Sequence, residues 1–199
     1  MVTKRQHEER ILRQDRILDG ALQIFSKQGL ESATMEEIAK ESDFGKATLY
    51  YYFCSKEEIF QAIMIKGWKQ LWINAKDLIT SKQTPRKTML CVIMKIVEII
   101  NKDRSLYEFL FFAPQSSVSL SMESSEWKKY QLRLYSSLEK LVEEGIENGK
   151  LPALEPHVIL QAMGGLFHGM MFVGKNKPKI EEADIEQLLS QFLGKTLVN

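Results

Sequence analysis

The chain has 199 residues, of which 44% are hydrophobic and 27% charged, enough to bury a core in one large domain or in a small and a larger one. Its 27 basic and 26 acidic residues nearly cancel, which excludes a globally basic nucleic-acid binder; any polyanion contact has to come from charge arranged on one face. The stretches poorest in charge, Met89–Met94 and Ala162–Gly174, are too short to span a bilayer, and no apolar secretion segment follows the polar start MVTKRQHEER. Cys54 and Cys91 have no metal or redox spacing, so the expectation is a cytoplasmic protein with two reduced thiols.

Nearly every segment carries helical periodicity, and no period-two alternation persists. The first helix is predicted over Glu9–Gln28, with Ile11, Ile17, Leu18, Ala21, Leu22 and Phe25 at three- and four-residue steps and Gly29 as its left-handed stop. Lys4 and Arg5 precede it and read as a solubilising tail, with a basic arm that reaches a nucleic-acid groove as the alternative. Thr34-Met-Glu-Glu37 is a capping box that opens a short helix over Met35–Glu41. The turn Ser42–Gly45 leads to a second short helix over Lys46–Phe53. Ser55-Lys-Glu-Glu58, a further capping box, opens a long helix to Thr80. Thr84-Pro85 begins the next, with proline where its missing N–H costs least. Ser105-Leu-Tyr-Glu108 opens a short aromatic helix ending near Pro114. A serine-rich loop over Ser116–Ser125 follows. Further helices are predicted over Glu126–Asn148, His157–Gly174 and Glu181–Leu197. The reading is all-α with about nine helices, divided near Cys54 into residues 1–54 and 55–199.

Two short helices joined by a four-residue turn fit a helix-turn-helix. On a wheel of about 100° per residue, Leu49 and Phe53 mark the buried side of Lys46–Phe53. Ala47 and Tyr51 point the opposite way, flanked by Thr48 and Tyr50, and Tyr52 sits at the edge. A solvated helix would carry Glu and Lys on that face. Alanine, threonine and two tyrosines suit a phosphate-lined groove: Ala47 permits close approach, Thr48 meets a base edge or phosphate, and the phenols donate to phosphate oxygens. Lys46 and Lys56 bracket the helix with positive charge. The competing reading is an aromatic helix buried between domains.

The run from Ile17 to Ile63 resembles the DNA-binding domain of the TetR family of bacterial transcriptional regulators. The ILDGALQIF helix, the Gly29 stop, the TMEEIA cap and helix, and the KATLYYYF-x-SKEEIF block carry the resemblance. It implies that Thr34, Lys46, Thr48, Tyr50, Tyr51, Tyr52 and Lys56 contact DNA, with Thr34 also placing its helix N-terminus toward a phosphate. Four positions depart from the family's usual residues. Asp43 stands where glycine is frequent, Gly45 where serine is, Tyr52 where histidine is, and Cys54 where lysine or arginine is common.

A single helix-turn-helix buries little surface, and such modules act as dimers on repeated half-sites. In HVILQAMGGLFHGMMFVG, Ala162, Gly165 and Gly169 permit close helix–helix approach, with Leu166 packing around them. With Leu188, Leu189 and Phe192 of the last helix they form the expected homodimer interface, the competing reading being an intramolecular core. The resemblance also implies an effector pocket in the helical region after residue 54. Its candidates are Trp68, Trp72, Phe109, Phe112, Trp127 and His168, which favour an apolar or aromatic small molecule; read from the residues alone, most of them are core, His168 as a neutral packed histidine. The resemblance implies a repressor, binding a palindromic operator in double-stranded DNA and released by its effector. No cofactor, metal or membrane partner is expected. An enzyme is the rival of another class, but the chain has no HExxH, no Glu-x-x-His pair and no phosphate-cradling glycine loop. A helical adaptor that binds no DNA is the second rival.

Overall fold

The computed structural model describes residues 4–81, 83–112, 125–173 and 181–192. Among them run nine helices and no strand: α1 (Lys4–Ser32), α2 (Met35–Glu41), α3 (Lys46–Tyr52), α4 (Lys56–Ile79), α5 (Pro85–Lys102), α6 (Arg104–Phe112), α7 (Glu126–Glu147), α8 (Pro156–Phe172) and α9 (Glu182–Phe192). The predicted serine-rich loop lies, apart from Ser125, outside the described residues. So do the proposed helix end near Pro114 and the extension of the last helix to Leu197.

Helix α1 begins at Lys4, five residues before the predicted start, so Lys4 and Arg5 stand in its first turn rather than in a tail. Pairs one turn apart, Lys4 with Glu8 and Arg13 with Glu9, support this polar extension. Ile11, expected on the apolar face, is exposed, because the buried stripe begins only at Ile17. Gly29 breaks the helix at φ 81° and ψ 162°, a backbone that side chains other than glycine's rarely allow. Residues 30–32 then continue as one more helical turn.

The helix starts follow their caps. Thr34 accepts from the Glu37 amide at 3.2 Å, and the Glu37 carboxylate accepts from the Thr34 amide at 2.9 Å. That carboxyl is held below its ordinary range, first by the Thr34 hydroxyl and then by the Thr34 amide. At α4, Ser55 accepts from the Glu58 amide at 3.2 Å, but Glu58 reaches one residue further back, to the Cys54 amide at 2.6 Å. Helix α5 opens on Thr84 with Pro85 in its first turn. Ser105 is no cap: α6 starts at Arg104, directly after Asp103 closes α5, so Ser105 sits inside the helix.

The chain forms two compact units. The first lies within Met1–Trp68 and Ser105–Lys128, the second within Lys69–Arg104 and Lys129–Asn199. In the first, Ile17, Ala21, Ile38, Leu49, Ile59, Phe60, Ile63 and Leu110 are fully or almost fully buried. Phe109 anchors the aromatic part of this core, 6.1 Å from Phe25 in a stacked pair and 5.8 Å from Phe60 edge-on. In the second, α9 packs against α5, and Met89, Val92, Ile100, Leu141, Val142 and Ile185 are buried.

Helix α2 docks on α1 by a close approach at Gly20. A Cβ there would lie 3.0 Å from the Ser42 amide nitrogen and 3.2 Å from its Cα, and it would also strike the Ser42 hydroxyl. Those atoms are backbone and cannot turn aside. Gly20→Ala is therefore expected to lower stability by about 1–3 kcal/mol despite alanine's better helix propensity, read as a lower midpoint in chemical denaturation. A wild-type midpoint would mean that the α1–α2 contact yields without cost.

Candidate DNA-binding surface

The turn between α2 and α3 is built from backbone hydrogen bonds. The Phe44 amide donates to the Ala39 carbonyl at 2.9 Å and the Ser42 amide to the Ile38 carbonyl at 3.0 Å, a helix end that needs a left-handed residue between them. Asp43 supplies it at φ 57°. Aspartate tolerates this conformation better than most side chains, and Arg16 of α1 fastens it in place. The guanidinium donates to the Asp43 carboxylate at 3.3 Å and the Ser42 carbonyl at 3.4 Å, and lies 5.1 Å above the Phe44 ring. Gly45 then opens α3 without a side-chain cap.

Helix α3 is pinned by Leu49, fully buried, and by the closing Phe53. On the other side Tyr51 is 72% exposed and Tyr50 45% exposed. Ala47 and Lys46 are exposed, and Thr48 and Tyr52 half-buried. The Tyr51 and Tyr52 rings meet edge to face at 5.1 Å. Tyr52 also faces α1. There Arg13 is held above its ordinary value, first by the Glu9 carboxylate at 2.5 Å and further by the Tyr52 phenol. Ala47, Tyr50 and Tyr51 thus form one open face over an anchored helix, with Thr48 and Tyr52 at its margins.

The polar groups around that face are partly committed elsewhere. The Thr34 hydroxyl donates to Glu37 at 2.8 Å while it caps α2. Lys46 pairs with Glu36, which lowers the carboxyl of one and raises the ammonium of the other. Both groups are largely exposed, so a DNA phosphate can compete for the lysine. Lys56 is used differently. Its ammonium donates to the carbonyls of Glu31 at 2.6 Å and Ala33 at 2.9 Å, closing the end of α1 from the first turn of α4. A second tie joins the same helices, where Lys66 meets Asp15 at 2.9 Å and Asp19 at 3.8 Å. Sequence reasoning missed Arg16, Lys66 and the capping role of Lys56. Each pairs with residues 23 to 51 positions away, and no local pattern marks such pairs. Gly20 left a fainter signal, a glycine set inside the apolar run ILDGALQIF.

The effector candidates divide between the units. Trp68 is buried and lies 5.7 Å from Phe111, edge-on, in the first unit. Trp127 is buried in the same unit, its indole N–H without an acceptor among the described residues. Phe109 and Phe112 line a cleft of about 620 Å³ there, together with Phe25, Ser26, Gly29, Leu30, Phe60, Ser105 and Glu108. Trp72 and His168 belong to the second unit, where His168 lies 5.5 Å from Phe172.

Of the dimer candidates, Ala162 and Gly165 are exposed and Leu166 and Gly169 half-buried. Only Ile159 and Met171 of α8 are buried. A Cβ added at Gly164, Gly165 or Gly169 would meet nothing within 4 Å. Leu188 is half-buried, and the side chains of Leu189 and Phe192 lie outside the described residues. Among the described residues no helix is long and apolar enough to cross a membrane, and no group of three His, Cys, Asp or Glu could hold a metal ion.

Residues 17–63 match the family described as bacterial regulatory proteins, tetR family. The chain is 24% identical over 182 residues to the uncharacterized HTH-type transcriptional regulator YhgD of Bacillus subtilis, covering 91% of this chain and 94% of that protein. Over 47 residues, 24% of this chain and 25% of the other, it is 43% identical to IcaR of Staphylococcus aureus, the HTH-type negative transcriptional regulator of the biofilm operon icaADBC. Its fold resembles the crystal structure of the transcriptional regulator FadR from Bacillus subtilis in complex with stearoyl-CoA. That match has a TM-score of 0.63 at 23% identity and covers 78% of this chain and 83% of that one.

Because Lys56 closes the end of α1, Lys56→Met is expected to lower stability by about 1–2 kcal/mol in the absence of any DNA. A lysine kept only for phosphate contact would leave the denaturation midpoint unchanged.

Proposed function

We propose, on the match of residues 17–63 to the tetR family of bacterial regulatory proteins, that the chain is a transcription regulator and not an enzyme, and that it represses transcription as a cytoplasmic homodimer on a palindromic operator and is released by a small-molecule effector. Residues 1–54 read the DNA; residues 55–199 bind the effector and form the dimer. The observation that carries this reading is the open face of α3, where Tyr50 and Tyr51 stand exposed above a fully buried Leu49. Aromatic hydroxyls held rigidly on a short helix donate to phosphate oxygens and lose little entropy in doing so. Lys46, Ala47, Thr48 and Tyr52 complete the contact surface, Lys46 by exchanging Glu36 for a phosphate. Thr34 and Lys56 act mainly by holding α2 and α4 in place, and Thr34 aims the N-terminus of α2 at the backbone.

The effector we propose is a small molecule with an apolar or aromatic part, and acyl-CoA thioesters, through their apolar acyl chain, are the first class to examine, as suggested by the stearoyl-CoA complex of the Bacillus subtilis FadR structure. Trp68, Trp72, Phe109, Phe112, Trp127 and His168 remain its candidate contacts. Only Phe53, Cys54 and Ser55 separate the end of α3 from α4. A tilt of α4 therefore moves the recognition helix directly. The effector shifts the balance between DNA-competent and released states by its differential affinity for the two.

The test is fluorescence anisotropy on the DNA upstream of the protein's own gene against a scrambled duplex, over a salt series. The native fragment is expected to bind more tightly, with affinity falling steeply as salt rises. Tyr51→Phe is expected to weaken specific binding about fivefold, the size of one hydrogen bond of roughly 1 kcal/mol, without changing the oligomeric state. Stearoyl-CoA is expected to lower the affinity. Absence of binding to either duplex at low salt would overturn the regulator reading, and an unchanged Tyr51→Phe would overturn the assigned face.

The dimer is tested separately. Ala162, Gly165, Leu166 and Gly169 of α8, with Leu188, Leu189 and Phe192 of α9, are proposed as its interface. The open space around Gly165 lets a larger side chain fit within one chain. Gly165→Glu is therefore expected to fold, to sediment as a monomer and to lose at least about tenfold in operator affinity. A dimeric Gly165→Glu would place the interface elsewhere.

A further inference from the structure

We propose that the cleft bounded by α1, α4 and α6 binds a compact aromatic cation, held by the Glu108 carboxylate against a wall of phenylalanine rings. The cleft measures about 620 Å³, large enough for a small ligand. Phe25 and Phe60 form its floor with Phe109, and all three are buried. Phe112 stands at the mouth, 48% exposed. The polar lining is sparse and one-sided in charge: the hydroxyls of Ser26 and Ser105, and the carboxylate of Glu108. Glu108 makes no ion pair among the described residues. Arg104, its neighbour one turn earlier on α6, gives its guanidinium to the Met171 carbonyl at 2.6 Å. Lys27 does not line this cleft; it lines a smaller one of about 340 Å³ that shares Ser26 and Ser105 with it.

These features select for charge. An ammonium in the cleft gains the Glu108 carboxylate and the exposed Phe112 ring together, while a carboxylate or phosphate there is repelled by Glu108. The site is therefore unsuited to an acyl-CoA, whose phosphates are anionic. It shares Phe109 and Phe112 with the proposed effector contacts, while Trp68, Trp72, Trp127 and His168 do not line it. It stands independently of the operator reading.

The experiment is isothermal titration calorimetry of the full-length protein with 1-naphthylmethylammonium and, separately, with 1-naphthoate, which carries the same ring with opposite charge. The amine is expected to bind saturably at one site per chain, with the naphthoate at least about tenfold weaker. Glu108→Gln is expected to weaken the amine about tenfold and to erase most of that difference. Ser26→Phe, which fills the cleft without touching its charge, is expected to abolish amine binding. Circular dichroism checks that each variant is folded; if Ser26→Phe is not, the amine–naphthoate pair and Glu108→Gln decide alone. No saturable amine binding up to millimolar concentration, equal binding of the two probes, or an unchanged Glu108→Gln would each overturn the proposal. Operator binding by Glu108→Gln without amine is expected to match wild type, which separates failure of this site from failure of the regulator reading.

Discussion

The recognition surface depends on how closely α2 can lie against α1. At Gly20 the two helices approach until the Ser42 backbone occupies the space of a side chain. That contact sets where α2 ends, and Asp43 and Phe44 turn the chain from there into α3. Arg16 reaches from the same helix to hold the turn by its carboxylate, its carbonyl and its aromatic ring at once. A short helix of seven residues has little stability of its own. Its orientation is fixed by Leu49 beneath it and by this bracket before it, and the exposed tyrosines inherit that rigidity.

Electrostatics around the surface are subtler than a basic patch. Residues 1–56 hold equal numbers of acidic and basic side chains. Lys46 is shared with Glu36, Arg13 with Glu9 and Tyr52, and Lys56 with the last carbonyls of α1. The face left uncommitted is aromatic and hydroxylic. Affinity for DNA on such a surface comes from well-placed hydrogen bonds and from the few cations that can leave an exposed partner, since long-range attraction from net charge is weak here. The same economy appears in α4, where Lys56 and Lys66 tie the helix to α1 at two levels. A tilt of α4, as the proposed release requires, would move α1 as well as α3.

Helix α8 shows the opposite condition. Its composition is apolar, yet only two of its residues are buried within one chain, and its glycines open onto empty space. A helix that is apolar on most sides and only partly covered by its own chain leaves surface that association with a second copy would remove from water.

Much of the fold was legible because its signals are local. The capping box at Thr34, the Ser55 side-chain cap, proline at Pro85 and Pro156, and the period of buried residues depend on neighbours three or four positions away, so the helices could be placed from sequence. The wheel of α3 was legible for the same reason: burying Leu49 forces Tyr51 outward. The errors also have local causes. Ser105 has the composition of a cap, but Asp103 ends the preceding helix so abruptly that Arg104 already belongs to the next one. The polar first turns of α1 carry no apolar stripe, so they read as tail although pairs of charges support them as helix. What only the tertiary structure decided is the use of long side chains and the position of space. Lysine and arginine span several ångströms and bond to whatever backbone or carboxylate the packing brings near. Packing made Lys56 a helix cap and Arg16 a turn clamp, and gathered Phe25, Phe60 and Phe109 around a cleft with Glu108 at its edge. Periodicity fixes which side of each helix turns inward; the partners it meets there come from segments far away in the chain, and no neighbouring residue encodes them.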